Sequence, residues 1–125
     1  MKDLSYERLF QIIYPSLPAE WRKLVIRASF QGKASVVKYY VRTRNGKYID
    51  CFNLGCNPNL LLSSIEDIHN EVASVRDKLE DHSRWNAVTV VIDAEGSFKA
   101  DFDYSETAWT EKMSEETWSE RFLKD

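Results

Sequence analysis

Two carboxylates in the C-terminal third of the chain have a spacing that suits metal binding or acid–base chemistry. Asp101 and Asp103 lie two residues apart in a segment with the alternating pattern of a strand, so their side chains share a face. Paired carboxylates can bind a divalent cation or serve as acid and base. Lys99 continues the same face and no further ligand converges there, which favours two solvated carboxylates on an exposed strand face.

The cysteines and histidines form no recognisable metal or redox motif. Cys51 and Cys56 are five residues apart, and one such pair predicts reduced thiols, with Cys51 in the core. His69 and His82 fall in one predicted helix, where thirteen residues place them about 220° apart around the axis. They cannot converge on one ion, and no serine or cysteine nucleophile can be assigned to them.

Catalytic machinery of other kinds is also missing from the sequence. The four glycines include no Gly-rich phosphate loop. We therefore predict a protein without catalytic residues, cofactor or metal, which acts by binding another macromolecule. A small-molecule enzyme or a metal-binding domain is the least favoured class.

The apolar spacing predicts eight elements in the order α-β-β-β-α-β-β-α. Period-two patterns indicate strands, the Asn45-Gly46 pair predicts a tight hairpin, and Ser63 with Glu66 matches a capping box at the start of the central helix. The fold class is α+β: one domain over residues 1–125, with a five-stranded, mainly antiparallel sheet and helices packed on one face. The predicted ranges are helix 4–13, strands 24–30, 36–43 and 48–52, helix 63–81, strands 86–93 and 97–104, and a short helix from Ser114.

Side-chain alternation assigns the faces of these elements. Ile65, Ile68, Val72, Val75 and Leu79 make one apolar stripe on the central helix. On the last strand the inward residues are predicted to be Phe98, Ala100 and Phe102, with Tyr104 following them into the core.

Charge is distributed unevenly along the chain, although the net charge is only −3. The segment from Trp21 to Ile49 carries eight basic residues and no acidic one, whereas Asp93 to Asp125 carries ten acidic residues and four basic ones. Basic side chains on a meander discourage edge-to-edge aggregation, and acidic ones near a terminus commonly form a solvated face. The functional alternatives are a basic, Tyr-bearing sheet that binds nucleic acid and an acidic surface that docks a basic protein.

The N-terminal sequence predicts a protein that stays in the cytoplasm. MKDLSYERLF is interrupted by charges, whereas a signal peptide needs an unbroken apolar stretch. No segment approaches the length of a membrane span.

The block from Trp85 to Tyr104 resembles the signature region of the YezG family of bacterial antitoxin and immunity proteins. In that family a tryptophan opens an apolar strand, an acidic-Gly turn follows, and the next strand is similar to Phe98-Lys99-Ala100-Asp101-Phe102-Asp103-Tyr104. Leu17-Pro18-Ala19-Glu20-Trp21 is similar to the family's helix-to-strand junction, and the other elements follow in the same order. The resemblance implies a partner that neutralises a toxin, often a nuclease delivered to competing bacteria by a secretion system.

Residues and resemblance together predict an immunity protein that blocks a basic nuclease toxin sterically and electrostatically. Nucleases need basic surfaces to hold phosphates, and acidic groups can shadow such a surface. The alternative is a nucleic-acid-binding module that uses the basic meander from Arg22 to Lys47. The predicted partner-binding residues are Asp101, Asp103, Glu106, Trp109, Glu111, Glu115, Glu116 and Trp118, with Glu66, Asp67, Asp77 and Asp81 as a second choice.

Overall fold

A five-stranded antiparallel sheet forms the centre of the protein. The computed structural model describes residues 6–31, 34–44, 46, 48–53, 57–79 and 85–104. Strands β1 (Trp21–Gln31), β2 (Ala34–Thr43), β3 (Tyr48–Asp50), β4 (Ala87–Asp93) and β5 (Phe98–Asp103) lie in the order β3-β2-β1-β4-β5. Every neighbouring pair is antiparallel, which confirms the predicted α+β class.

Two tight turns set the register of the sheet. Gly46 has a φ of 84° in the β2–β3 connection, and its N–H donates to the Thr43 carbonyl at 3.0 Å. Gly96 has a φ of 100° in the β4–β5 turn, where the Glu95 N–H donates to Asp93 Oδ1 at 2.7 Å. Both glycines adopt a backbone conformation that other residues disfavour, so these turns follow directly from the local sequence.

Two helices cover one face of the sheet. Helix α1 (Tyr6–Ile13) buries Leu9 and Ile13, and α2 (Pro58–Asp77) buries Leu61, Ile68, Val72 and Val75. These side chains pack on the inward residues of β1, β2 and β4 in one core. The helices also contact each other, since Arg8 Nε lies 3.7 Å from Glu71 Oε1. The apolar stripe predicted for the central helix is confirmed, because Ile65 and Leu79 pack partly buried against this core.

The N-cap of helix α2 lies six residues earlier than the capping box at Ser63 indicates. Asn57 is the N-cap, and its Oδ1 accepts the N–H groups of Asn59 and Leu60 at 2.8 and 3.4 Å. Pro58 occupies the first turn, where its missing N–H leaves no hydrogen bond unmade. Ser63 therefore lies inside the helix, and the predicted start at Ser63 is wrong. The helix ends at Asp77 rather than at residue 81.

The third strand is shorter than predicted. It ends at Asp50, and residues Cys51–Asn53 form a 3₁₀ turn in which the Phe52 N–H donates to Asp50 Oδ1 at 2.9 Å. Cys51 is nevertheless fully buried in the core, as predicted.

The inward face of β5 is only partly covered, which corrects the prediction for this strand. Phe98 and Phe102 point to the helix side with their cross-strand partners Ile92 and Val88, but they remain 54% and 39% exposed. Tyr104 is 58% exposed and does not belong to the core. Helix α1 has eight residues and contacts β4, and the edge strand beyond β4 keeps much of its aromatic surface in solvent.

The helix predicted from Ser114 lies outside the described residues. Within the described part of the chain, neither helix has the length and apolar composition that crossing a membrane requires.

Candidate partner-binding surfaces

The first candidate surface is the acidic face of α2, formed by Glu66, Asp67 and Asp77. Together with Asn70 and Ser74 these exposed residues occupy an arc of about 100° around the helix axis. The arc lies opposite the buried stripe, because the same helical period that turns Ile68 and Val72 inward turns these carboxylates outward. Three of the four second-choice residues therefore share one solvent-facing surface, and the fourth, Asp81, lies outside the described residues.

The second candidate surface is the open face of the sheet, on the side opposite the helices. Asp101 lies there on β5, beside Thr89 of β4 and in the same cross-strand row as Arg27 of β1. Asp101 is half-buried and interacts with other groups of the protein. For Asp103 the structure places the backbone opposite Ala87. The acidic edge of this face is thus partly engaged within the fold.

Basic side chains occupy the centre of the open face. The cross-strand pairs Lys23–Arg42 and Arg27–Lys38 bring like charges opposite each other on β1 and β2. Like charges directly opposite each other repel and destabilise the sheet, and nearby carboxylates offset this repulsion. Asp93 is the cross-strand partner of Lys23 on the β4 side.

The most direct compensation on this face is the ion pair between Lys38 and Asp50. Lys38 Nζ lies 2.7 Å from Asp50 Oδ2, and it also lies 5.4 Å from the ring centroid of Tyr40. Burial opposes the charge on both groups. The Lys38 hydrogen bond and the Phe52 N–H nevertheless hold the pKa of Asp50 below its ordinary value of 3.8. The Asp50 hydrogen bond and the charges of Asp50 and Tyr40 similarly raise the pKa of Lys38 above 10.5, against its burial.

We expect Asp50→Asn to lower the free energy of unfolding by about 1 kcal/mol at pH 7, because Lys38 loses its charged partner. The pKa of Asp50 is depressed in the folded state, so the stabilisation is present above pH 3.8 and is lost as the pH falls through the folded value. The difference between wild type and Asp50→Asn should therefore shrink below pH 3.8. Urea unfolding at pH 7, 4 and 3 measures it, and a difference that persists unchanged at pH 3 would contradict the assignment.

The surroundings of Cys51 make its thiol unreactive in the folded protein. Its side chain is fully buried, and this burial raises the pKa of the thiol above the ordinary 9.0. The charge of Asp50 raises the pKa further by a smaller amount, whereas a hydrogen bond with the Tyr39 backbone lowers it. Because the thiolate is the reactive species, native Cys51 has neither the charge nor the access that reaction needs.

In a Cys56→Ser variant, which leaves Cys51 as the single thiol, we expect an aromatic disulfide reagent at pH 8 to react orders of magnitude more slowly with folded than with urea-unfolded protein. Absorbance of the released thiolate follows the reaction. Equal rates in the folded and unfolded protein would show that Cys51 is accessible.

A serine–histidine contact appears that the sequence interpretation missed. Ser35 Oγ lies 2.9 Å from His69 Nδ1, and the imidazole lies 5.8 Å from the ring of Phe30. The two residues are 34 positions apart, so only the packing of α2 on β2 brings them together. In the described ranges, no three His, Cys, Asp or Glu side chains form a group that could hold a metal ion.

An aromatic cleft lies where α1, the start of β1 and the β4–β5 turn meet. Its walls are Tyr6, Phe10, Trp21 and Phe98, its volume is 380 Å³, and its lining includes Glu7 and Asp93. The Tyr6 and Phe98 rings are 4.2 Å apart between centroids, and Phe10 and Trp21 are 5.6 Å apart. We define these six residues as the aromatic cleft. The sequence offered no clue to it, since its walls come from three separate elements, α1, β1 and β5.

The remaining predicted partner-binding residues lie outside the described part of the chain. They are Glu106, Trp109, Glu111, Glu115, Glu116 and Trp118.

Comparison with known proteins identifies the family of this chain. A search of curated proteins found no match. The family model described as "Immunity protein YezG-like" matches residues 1–121, which is nearly the whole chain and includes the block from Trp85 to Tyr104. The chain belongs to the YezG-like family of immunity proteins.

Proposed function

We propose that this protein binds a cognate nuclease toxin in the cytoplasm and blocks its nucleic-acid-binding surface by steric and electrostatic means. The observation that carries the proposal is the family match over residues 1–121, since membership of an immunity protein family is consistent with an antitoxin role. The nuclease activity of the toxin and the mode of inhibition are the proposed part. The protein acts as a stoichiometric inhibitor rather than as an enzyme.

Charge supports a basic partner. The acidic face of α2 presents Glu66, Asp67 and Asp77 to solvent, and a basic toxin surface is complementary to it. Asp101, Asp103 and the acidic residues from Glu106 onward extend the same charge along the sequence. A nuclease that holds phosphates with lysines and arginines would lose access to its substrate once these carboxylates cover them.

The direct test first identifies the toxin by copurification with this protein from its native host. Co-expression should restore growth to cells that produce the toxin, and the two chains should copurify as a complex. Purified toxin should degrade RNA or DNA, and one equivalent of this protein should stop the degradation. A toxin that binds the protein but attacks neither nucleic acid would remove the nuclease part of the proposal and leave the antitoxin role.

The basic side chains on the open face of the sheet suggest a second candidate function, direct nucleic-acid binding. Lys23, Arg27, Lys38 and Arg42 cluster there beside Tyr40. Lys38 pairs with Asp50, however, and Arg27, Arg42 and Tyr40 interact with other groups of the protein. Much of this basic surface is therefore committed to the fold, which favours the toxin-binding proposal.

We accordingly expect nonspecific DNA or RNA to bind with a dissociation constant weaker than about 1 μM at physiological salt, because few phosphate contacts are available. Fluorescence anisotropy at several salt concentrations measures it. A submicromolar constant with a steep salt dependence, abolished by Lys23→Glu, would make nucleic-acid binding the better proposal.

A further inference from the structure

We propose that the aromatic cleft receives a lysine or arginine side chain of the toxin and anchors the complex. This inference rests on the proposed function and specifies one contact within it. The cleft combines ring faces with acidic residues, which is the chemistry that recognises an organic cation with an apolar stem.

The aromatic walls are accessible. Phe98 is 54% exposed, and Tyr6, Phe10 and Trp21 are half-buried. Tyr14 lies outside the cleft, but its ring, 62% exposed and 5.5 Å from that of Phe10 between centroids, extends the aromatic surface. Exposed aromatic rings that are held by neighbouring rings lose little conformational freedom when a partner covers them, and aromatic residues dominate the energetics of protein interfaces. Phe98 is therefore positioned as an anchor surface rather than as a core residue.

The shape of the cleft suits one long side chain. Its 380 Å³ lie at the lower end of the range of roughly 300–1,000 Å³ found for small-molecule sites, and it opens to solvent beside α1. The aliphatic stem of a lysine or arginine would lie against Tyr6, Phe10 and Phe98, with its charged end at the acidic rim.

Charge selects a cation over an uncharged apolar group. Glu7 is exposed in the first turn of α1 and lines the cleft, so its carboxylate is the acidic group offered to a partner. Asp93, the last residue of β4, also lines the cleft, but it pairs across the sheet with Lys23 and its carboxylate accepts the Glu95 N–H. The fold already uses the same chemistry elsewhere, since the Arg76 guanidinium carbon lies 4.8 Å from the ring centroid of Phe30. A basic toxin, as proposed above, presents such side chains.

The first experiment uses calorimetry to measure the dissociation constant of the complex with the toxin that copurifies with this protein. Phe98→Ala should weaken binding by about 30-fold or more, which corresponds to a hot-spot residue. Glu7→Lys should weaken it by about 10-fold or more, and Glu7→Gln by less, because reversal adds repulsion to the loss of attraction. Asp93 stays unchanged, since its carboxylate accepts the Glu95 N–H in the turn.

A matched control separates the cleft from general surface effects. Leu62 is 61% exposed on α2 and Leu62→Ala removes a comparable exposed apolar side chain outside the cleft, so its dissociation constant should change by less than about 3-fold. Circular dichroism checks that each variant is folded. If Phe98→Ala is unfolded, Phe98→Leu replaces it, because leucine keeps apolar bulk and removes the ring.

A second experiment identifies the occupant. A photoreactive benzoylphenylalanine at position 98 should cross-link to a toxin peptide centred on a lysine or arginine. The cleft assignment alone is overturned if the toxin binds wild type and both Phe98→Ala and Glu7→Lys bind it with unchanged affinity. It is also overturned if the cross-link forms to a toxin segment that lacks basic residues. Failure of wild type to bind the toxin overturns the proposed function itself.

Discussion

Replacing Trp85 by alanine should lower the free energy of unfolding by about 3–5 kcal/mol, the range found for large aromatic side chains removed from a core. Trp85 is 3% exposed and lies two residues before the first residue of β4. Its ring contacts Phe30 and Phe102 at centroid distances of 6.0 and 5.4 Å, and its carbonyl accepts the Arg76 Nε–H at 2.7 Å. The indole thus packs between Phe30 of β1 and Phe102 of β5, while the backbone carbonyl of Trp85 joins this segment to α2.

Because domains of this size are stable by only about 5–15 kcal/mol, the loss should be large relative to the total. Thermal unfolding followed by circular dichroism should show a midpoint lower by roughly 10–20 °C. Trp85→Phe is the matched variant, since it keeps an aromatic ring against Phe30 and Phe102 and should recover part of the loss. A decrease below about 1 kcal/mol for Trp85→Ala would show that the indole is not a core residue.

The core position of Trp85 also determines what this residue contributes to function within the block from Trp85 to Tyr104, which resembles the family's signature region. Trp85 opens that block, yet it lies in the core and cannot reach a partner. We expect Trp85→Ala to reduce protection against the toxin in proportion to the unfolded fraction, with unchanged affinity of the molecules that remain folded.

Reversal of the acidic face of α2 should have the largest effect on the rate of toxin binding. In the triple variant Glu66→Lys, Asp67→Lys, Asp77→Lys, we expect the association rate constant at low salt to fall by about 10- to 1,000-fold, the range by which electrostatic steering accelerates association. The three side chains are exposed and make no core contact, so the fold should persist. Stopped-flow fluorescence with the purified toxin measures the rate.

The matched control replaces the same three residues by Gln, Asn and Asn. That variant removes attraction without adding repulsion, so its rate should lie between those of wild type and the lysine variant. Salt at about 0.5 M should bring the three rates together, because screening then acts over only a few ångströms. Equal rates of wild type and the lysine variant at low salt would place the steering charges elsewhere, with Asp101, Asp103 and the acidic residues from Glu106 onward as the next set to reverse.

The sequence by itself determined the order of the described elements and most of their faces. Alternation placed Leu24, Ile26 and Phe30 in the core because successive side chains of a strand point to opposite sides. The helical period likewise separated Ile68 and Val72 from Glu66 and Asp77. These patterns are local, and each can be recognised within one element.

The start of α2 was predicted at the wrong one of two possible N-caps, because the Ser63–Glu66 capping box was preferred to Asn57-Pro58. Asn57-Pro58 is itself a good helix start, with an amide cap and a proline in the first turn. Ser63 and Glu66 matched the capping box equally well by type. Leu61 settles the choice in the structure, because burying it against the core extends the helix toward its N-terminus.

Only the tertiary structure decided which surfaces remain open. Alternation assigned Phe98, Phe102 and Tyr104 to the interior, but exposure depends on whether another element lies above the strand, and the described helices leave much of these edge-strand side chains in solvent. The Ser35–His69 contact and the Lys38–Asp50 pair likewise join separate elements. The aromatic cleft arises in the same way, because Tyr6, Trp21 and Phe98 are distant along the chain and meet only when α1 packs beside the β4–β5 turn. Periodicity specifies the side of an element on which a residue lies, whereas what covers that side depends on the lengths and packing of elements far away in sequence.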